Sequence, residues 1–198
     1  MFRVLDYRSG RMHTDLFSEK RVQKHLTVLR AHHPDTYVHC RRVGLLSIDL
    51  GFENGLPEDD IRVLGYAGML HDVGKAKISL NTLNNTGPLQ KEQRRIVEMH
   101  PSWGYEMLRD FSNEVVRLAV LGHHRYQPDP YPLQMPSVDS RTSRLTEMVA
   151  LADKTDAGLS GRPCKPAIKK PDIEPFLRAN FTGDPRYIDQ VLRRIESR

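Results

Sequence analysis

The chain has 198 residues, of which 38% are hydrophobic and 28% charged, enough for one domain with a sizeable core and ordinary for a soluble globular protein. No apolar run is long enough to span a bilayer, and Met1-Phe2-Arg3-Val4-Leu5-Asp6 lacks the layout of a signal peptide, so neither a membrane partner nor a leader is expected. A net charge of +5 favours anionic partners, but basic pairs such as Arg41-Arg42, Arg94-Arg95 and Lys169-Lys170 are scattered and not interleaved with aromatics, which argues against duplex nucleic acid.

Residues 1 to about 16 show no clear period and read as an arm or short extended piece. Phe17 to Ala31 reads as a helix with Val22, His25, Leu26 and Leu29 on one stripe, ended by His32-His33-Pro34. Asp35 to Phe52 follows as a helix capped by Asp35, with Val38, Val43, Leu46 and Leu50 as its core edge. Pro57-Glu58-Asp59-Asp60 is an acidic first turn, and Ile61, Leu64, Ala67, Gly68 and Leu70 carry that helix to His71-Asp72. Ile78 to Gly87 is an asparagine-rich loop, and a helix is predicted from Thr86-Gly87-Pro88 to Met99. After the break at His100-Pro101, helices are expected over Trp103–Phe111 and Asn113–Leu121, the latter stopping at Gly122-His123-His124. The stretch 125–138 carries four prolines and no period, and reads as a loop. Arg141 to Ala157 is a strong helix, a proline-rich link covers 161–175, and short helices are expected near Ile173–Ala179 and Pro185–Ile195. No alternating segment is long enough for a strand, so the expected fold class is all-α.

The stretch Leu70-His71-Asp72-Val73-Gly74-Lys75 stands out from this background. Neighbouring residues on a helix point about 100° apart, so His71 and Asp72 grip one ion or two adjacent ions only from the helix end. Lys75 lies one turn on, over the same face, and Gly74 leaves that space open. A neutral imidazole, a carboxylate able to bridge and a nearby ammonium suit a metal-activated water beside a phosphate. His39, His100, His123 and His124 also fall at helix ends or on inner faces. Asp153 sits inside the apolar run Val149-Ala150-Leu151-Ala152, where an unpaired carboxylate would be costly. Singly, each is ordinary structural chemistry, a capped helix end or a hydrogen-bonded core residue. Converging together, they would be hard to satisfy without cations, and a thiolate-poor set of this kind suits two ions of Fe, Mn, Co, Ni or Zn. His13, His25, His32 and His33 are expected on the surface.

The order His, His-Asp, His, His-His, Asp resembles the HD superfamily of metal-dependent phosphohydrolases, and more closely its HD-GYP branch of cyclic di-GMP phosphodiesterases. The likeness covers roughly residues 35 to 178. It runs through Leu70-His71-Asp72-Val73-Gly74-Lys75, Leu83-Asn84-Asn85-Thr86-Gly87-Pro88-Leu89 and Met99-His100-Pro101-Ser102-Trp103-Gly104. It continues in Gly122-His123-His124, Tyr131-Pro132, Ala152-Asp153-Lys154-Thr155-Asp156-Ala157 and Arg162-Pro163. The resemblance implies a single HD-type helical bundle over residues 35–180, preceded by an arm and helix (1–34) and followed by a C-terminal helix (181–198). It implies His39, His71, Asp72, His100, His123, His124 and Asp153 as ligands of two divalent ions, Fe or Mn favoured, with Asp72 bridging. Lys75 would steady the scissile phosphate. Asp35 takes the place of an acidic residue that in some members helps to hold a third metal, with a shorter arm than glutamate.

The same comparison exposes departures. The acidic residue that follows the histidine pair in the family is missing, its loop aspartate is Gln127, and both of its glycines are prolines, Pro128 and Pro130. The later Arg-Pro-Tyr is Arg162-Pro163-Cys164. The expected activity is hydrolysis of an anionic nucleotide, cyclic di-GMP favoured. The rivals are another nucleotide substrate, or a degenerate domain that binds a nucleotide or protein without turnover. Regulation through a protein partner or through residues 1–34 is expected; the sequence leaves the oligomeric state open. Two cysteines, Cys40 and Cys164, are too few for a disulfide framework and fit a cytoplasmic setting, with a single Cys40–Cys164 bridge left open.

Overall fold

Helix follows helix in a computed structural model that describes residues 7–161 and 166–196, with no strand among the described residues. In chain order these are α1 (Tyr7–Ser18), α2 (Lys20–His32), α3 (Pro34–Glu53), α4 (Glu58–Leu70), a 3-10 turn (Val73–Lys77) and the one-turn α5 (Leu80–Leu83). Then come α6 (Lys91–Glu98), α7 (His100–Met107), α8 (Glu114–Gly122) and α9 (Ser140–Ser160). A second 3-10 turn (Lys170–Asp172), α10 (Ile173–Asn180) and α11 (Pro185–Glu196) complete the described chain. The all-α expectation holds.

The fold is organised on α3 and α4, which pack together more extensively than any other pair. They meet backbone to backbone: a Cβ on Gly68 would lie 2.8 Å from Gly44 Cα. Helix α9 lies against both, and α8 closes on α4 and α9. Between them Ile48, Leu64, Leu70, Val149 and Leu151 are fully or almost fully buried. Truncating one such leucine to alanine typically costs about 2–5 kcal/mol.

Besides α7, which opens on His100-Pro101 where a break was expected and ends at Met107 rather than Phe111, three local features differ from the sequence reading. The expected arm is in part helix α1, which buries only Ser9, Met12 and Leu16, too few to show a period, and is held by docking on α3 and α4. The asparagine-rich loop contains α5, and the helix expected from Thr86 begins only at Lys91, after a Gln90–Gln93 capping box. The third concerns the histidines placed on the surface. His25 and His33 are buried, and His13 and His32 are partly buried. His33, not Asp35, caps α3: its Nδ1 accepts from the Thr36 amide at 3.2 Å while Nε2 donates to Asn84 Oδ1 at 3.1 Å. A capping imidazole beside Pro34 is therefore tied at both ring nitrogens. His32 and His13 donate to the carbonyls of Ile78 and Arg41.

Helix α8 starts on the Asn113 cap and α9 on the Asp139 cap. No helix among the described residues is long and apolar enough to cross a membrane. Cys40 is a buried free thiol; Cys164, with Arg162 and Pro163, lies outside the described residues.

Candidate metal centre

Five elements deliver side chains to one buried point. Helix α3 presents His39 from its middle, and α9 presents Asp153. Helix α4 ends at the cap residue His71, with Asp72 next, and α8 ends at the cap residue His123, with His124 next. His100 opens α7. His71, Asp72, His100, His123, His124 and Asp153 are all buried. The negative ends of the α4 and α8 dipoles thus point at the place where cations would sit.

The last-turn carbonyls that helix ends leave unpaired are used here to orient imidazoles. His71 Nδ1 donates to Gly68 O at 2.8 Å, His100 Nδ1 to Val97 O at 2.6 Å and His123 Nδ1 to Val120 O at 2.7 Å. A carbonyl only accepts, so each Nδ1 carries the proton and each Nε2 presents a lone pair to the centre. His39 Nδ1 bonds Asp156 Oδ2 at 2.7 Å, and His124 Nδ1 bonds Gln127 Oε1 at 3.2 Å. All five rings are therefore held from the Nδ1 side.

The inward atoms of the histidines and Asp153 form two groups, and a third set, Cys40, His71 and Asp72, overlaps the first through His71. His39, His71 and Asp153 each bring a ligand atom within 4.8 Å of the others, and so do His100, His123 and His124. Asp72 lies between the groups. Its Oδ1 is 3.0 Å from His100 Nε2; its Oδ2 is 3.3 Å from His71 Nε2 and 3.8 Å from His39 Nε2. Lys75 Nζ donates to the same Oδ2 at 2.6 Å. Asp35 joins neither group and lines the neighbouring cavity.

Electrostatics favour cation binding. Burial, then the neighbouring imidazoles, hold His123 and His124 well below the usual imidazole value. Burial also lowers His100, against the pull of Asp72. Burial works against the ionised form of Asp72, but Lys75 and the surrounding histidines outweigh it and keep the carboxylate well below its usual value. At His39 burial is outweighed by the hydrogen bonds to Asp153 and Asp156, which raise it.

The residues present fit divalent cations. His71 Nε2 and Asp72 Oδ1 are buried and make no hydrogen bond. His100 Nε2 and His123 Nε2 lie 3.2 Å apart with both Nδ1 atoms already protonated, so two lone pairs face one another. A cation in each group satisfies these atoms, which no neutral arrangement that keeps the Nδ1–carbonyl bonds does.

A model of the HD domain matches residues 36–158. The chain belongs to the HD domain family. Among its relatives, the cyclic di-GMP phosphodiesterase response regulator RpfG of Xanthomonas campestris is 33% identical over 145 residues, 70% of this chain and 38% of that protein. The cyclic di-GMP phosphodiesterase PA4108 of Pseudomonas aeruginosa is 35% identical over 133 residues, 66% of this chain and 32% of that protein. The solved structure of Bd1817, an HDG"Y"P protein from Bdellovibrio bacteriovorus, superposes with a TM-score of 0.67 at 18% identity, covering 96% of this chain and 63% of that one. That likeness shows the fold. This HD domain spans about a third of the length of these two curated relatives.

Two residues of the centre carried no role in the sequence reading. Asp156 takes His39 Nδ1 and pairs with Arg42 at 2.6 and 2.9 Å. Gln127 Oε1 accepts from His124 Nδ1 at 3.2 Å and from Lys154 Nζ at 2.8 Å. For Asp156 there was a signal: it lies three residues beyond Asp153 on one apolar helix, so both carboxylates share a buried face. For Gln127 the signal was its place in the loop after His124, where the resemblance has an aspartate.

Proposed function

We propose that this HD domain is a metal-dependent phosphodiesterase whose substrate is a cyclic dinucleotide, cyclic di-GMP being the substrate named for both curated relatives. One observation carries the reading: the two oxygens of Asp72 face two separate groups, His39–His71–Asp153 and His100–His123–His124. His39, His71 and Asp153 would hold one divalent ion and His100, His123 and His124 another, with Asp72 between them; the resemblance favours Fe or Mn, and Ni, Co and Zn suit the same imidazoles. Bound there, two divalent cations supply the positive field and the acidified water that phosphodiester hydrolysis needs.

The chain's own residues do the rest. A cavity of about 640 Å³ opens beside His39 and Lys75, within the range of ligand pockets. Val38, Leu83, Leu89 and Val97 offer apolar wall for a base, while Asn85 and Arg42 offer polar contacts. Lys75 bridges the two environments, bound to Asp72 yet lining the cavity. Once cations hold Asp72, its ammonium is placed to neutralise non-bridging phosphate oxygens as charge develops on them.

A second reading, nucleotide binding without turnover, draws on the loop after His124, where an amide oxygen rather than a carboxylate backs that imidazole. Metal analysis of the purified protein, followed by a panel of cyclic and linear dinucleotides with Mn or Fe supplied, separates the two. Two ions per chain with hydrolysis of a cyclic dinucleotide supports the enzyme; bound nucleotide without product supports the binder. A protein that takes up no metal and cleaves nothing overturns the reading.

A further inference from the structure

The two halves of the centre are not backed alike. His39 donates Nδ1 to the carboxylate of Asp156 at 2.7 Å, and Asp153 adds a carboxylate directly to that group. In the other group all three donors are imidazoles, and His124 donates Nδ1 to Gln127 Oε1 at 3.2 Å. The amide orientation is fixed, because Gln127 Nε2 donates to the Asp129 carbonyl at 2.8 Å and leaves Oε1 facing the ring. That oxygen also accepts a hydrogen bond from Lys154 Nζ at 2.8 Å, so its acceptor strength is shared between an imidazole and an ammonium.

A carboxylate behind a ligating imidazole raises the basicity of the far nitrogen and fixes the ring; such partners are worth roughly 10–100-fold in metal affinity. An amide already polarised by an ammonium gives little of that. Resting on the two-cation reading above, we infer that the halves, with Asp72 shared between them, load in sequence: His39, His71 and Asp153 take the first ion tightly, and His100, His123 and His124 take the second weakly. Gln127 is the positioning residue that sets this weakness. Occupancy of the second half then follows the free concentration of divalent metal, which makes metal supply a control on the site.

The experiment uses the full chain stripped of metal and dialysed against increasing Mn²⁺, with bound Mn counted per chain. The expected isotherm has two resolved steps. Gln127→Glu restores a carboxylate behind His124 and should tighten the second step about tenfold while leaving the first in place. Asp156→Asn should weaken the first step. Gln127 is only partly buried, so the glutamate is tolerated sterically, and melting of the metal-free variants checks folding. One unresolved step in the wild type, or a Gln127→Glu shift in the tight step alone, overturns the inference. Two well-separated ions without any phosphodiester hydrolysis would sink the proposed function and leave the loading order standing. Hydrolysis with an unmoved second step in Gln127→Glu would do the reverse.

Discussion

His100 Nε2 and His123 Nε2 face each other at 3.2 Å across the buried centre, each ring already tied through Nδ1 to a backbone carbonyl. Neither ring can turn its proton inward without abandoning that carbonyl. Metal removal should therefore loosen the whole junction of α4, α7 and α8. At Mn²⁺ a hundredfold above its Kd, binding adds about 2.7 kcal/mol of stability. In a chain of this size that raises the melting temperature by roughly 5–10 °C over the chelated protein. Equal melting with Mn²⁺ and with chelator would show that the centre holds no ion in the folded state.

The two oxygens of Asp72 face both groups. Asp72→Ala should bring bound metal below two ions per chain. Hydrolysis should fall by roughly three powers of ten or more, the several kcal/mol a metal contributes to the barrier. Metal counting and turnover on a generic aryl phosphodiester check this together. A variant as fast as wild type places the chemistry elsewhere.

Lys75 separates chemistry from metal holding. It grips Asp72 Oδ2 at 2.6 Å, yet it belongs to neither group of ligand atoms. Lys75→Ala should keep both ions and lose roughly two powers of ten in kcat, the scale of one lost electrostatic donor. If the ions leave with the ammonium, Lys75 serves to orient Asp72 rather than to meet the phosphate.

The loop Arg125–Pro132 should weaken selectivity more than the metal centre. The Tyr131 ring lies 4.4 Å from that of His124, so the loop rests directly on the imidazole half of the site. Pro128 and Pro130 each fix φ and remove an amide donor where the resemblance would have glycine. The expected outcome is poor cleavage of cyclic di-GMP relative to a linear dinucleotide or an aryl phosphodiester. Measuring kcat/KM for the three under one metal condition decides it, and a clear preference for cyclic di-GMP would count against the loop's importance.

The elements that carry the site were legible because each ends on a strong local signal. An apolar run leads α4 to His71, α8 stops at Gly122-His123-His124, and α9 carries a carboxylate in an apolar stretch. What escaped the sequence depends on partners far along the chain. His39 meets Asp156 across 117 positions and His33 meets Asn84 across 51, and no local period encodes either contact. Helix α1 escaped for the related reason that its stability comes from α3 and α4 rather than from its own pattern.

Gly74 is where the two halves of the site are mechanically one. A Cβ there would overlap the His100 carbonyl oxygen and lie 2.7 Å from Gly104 N, so the turn after Asp72 sits directly on the first turn of α7. Backbone, not a pliable side chain, forms the joint. The separation between the Asp72 backbone and the His100 backbone is thereby a fixed gauge, set by main-chain thickness. Drift in the surrounding sequence can retune what enters the cavity, but the gauge changes only if the whole hinge between these two turns is rebuilt.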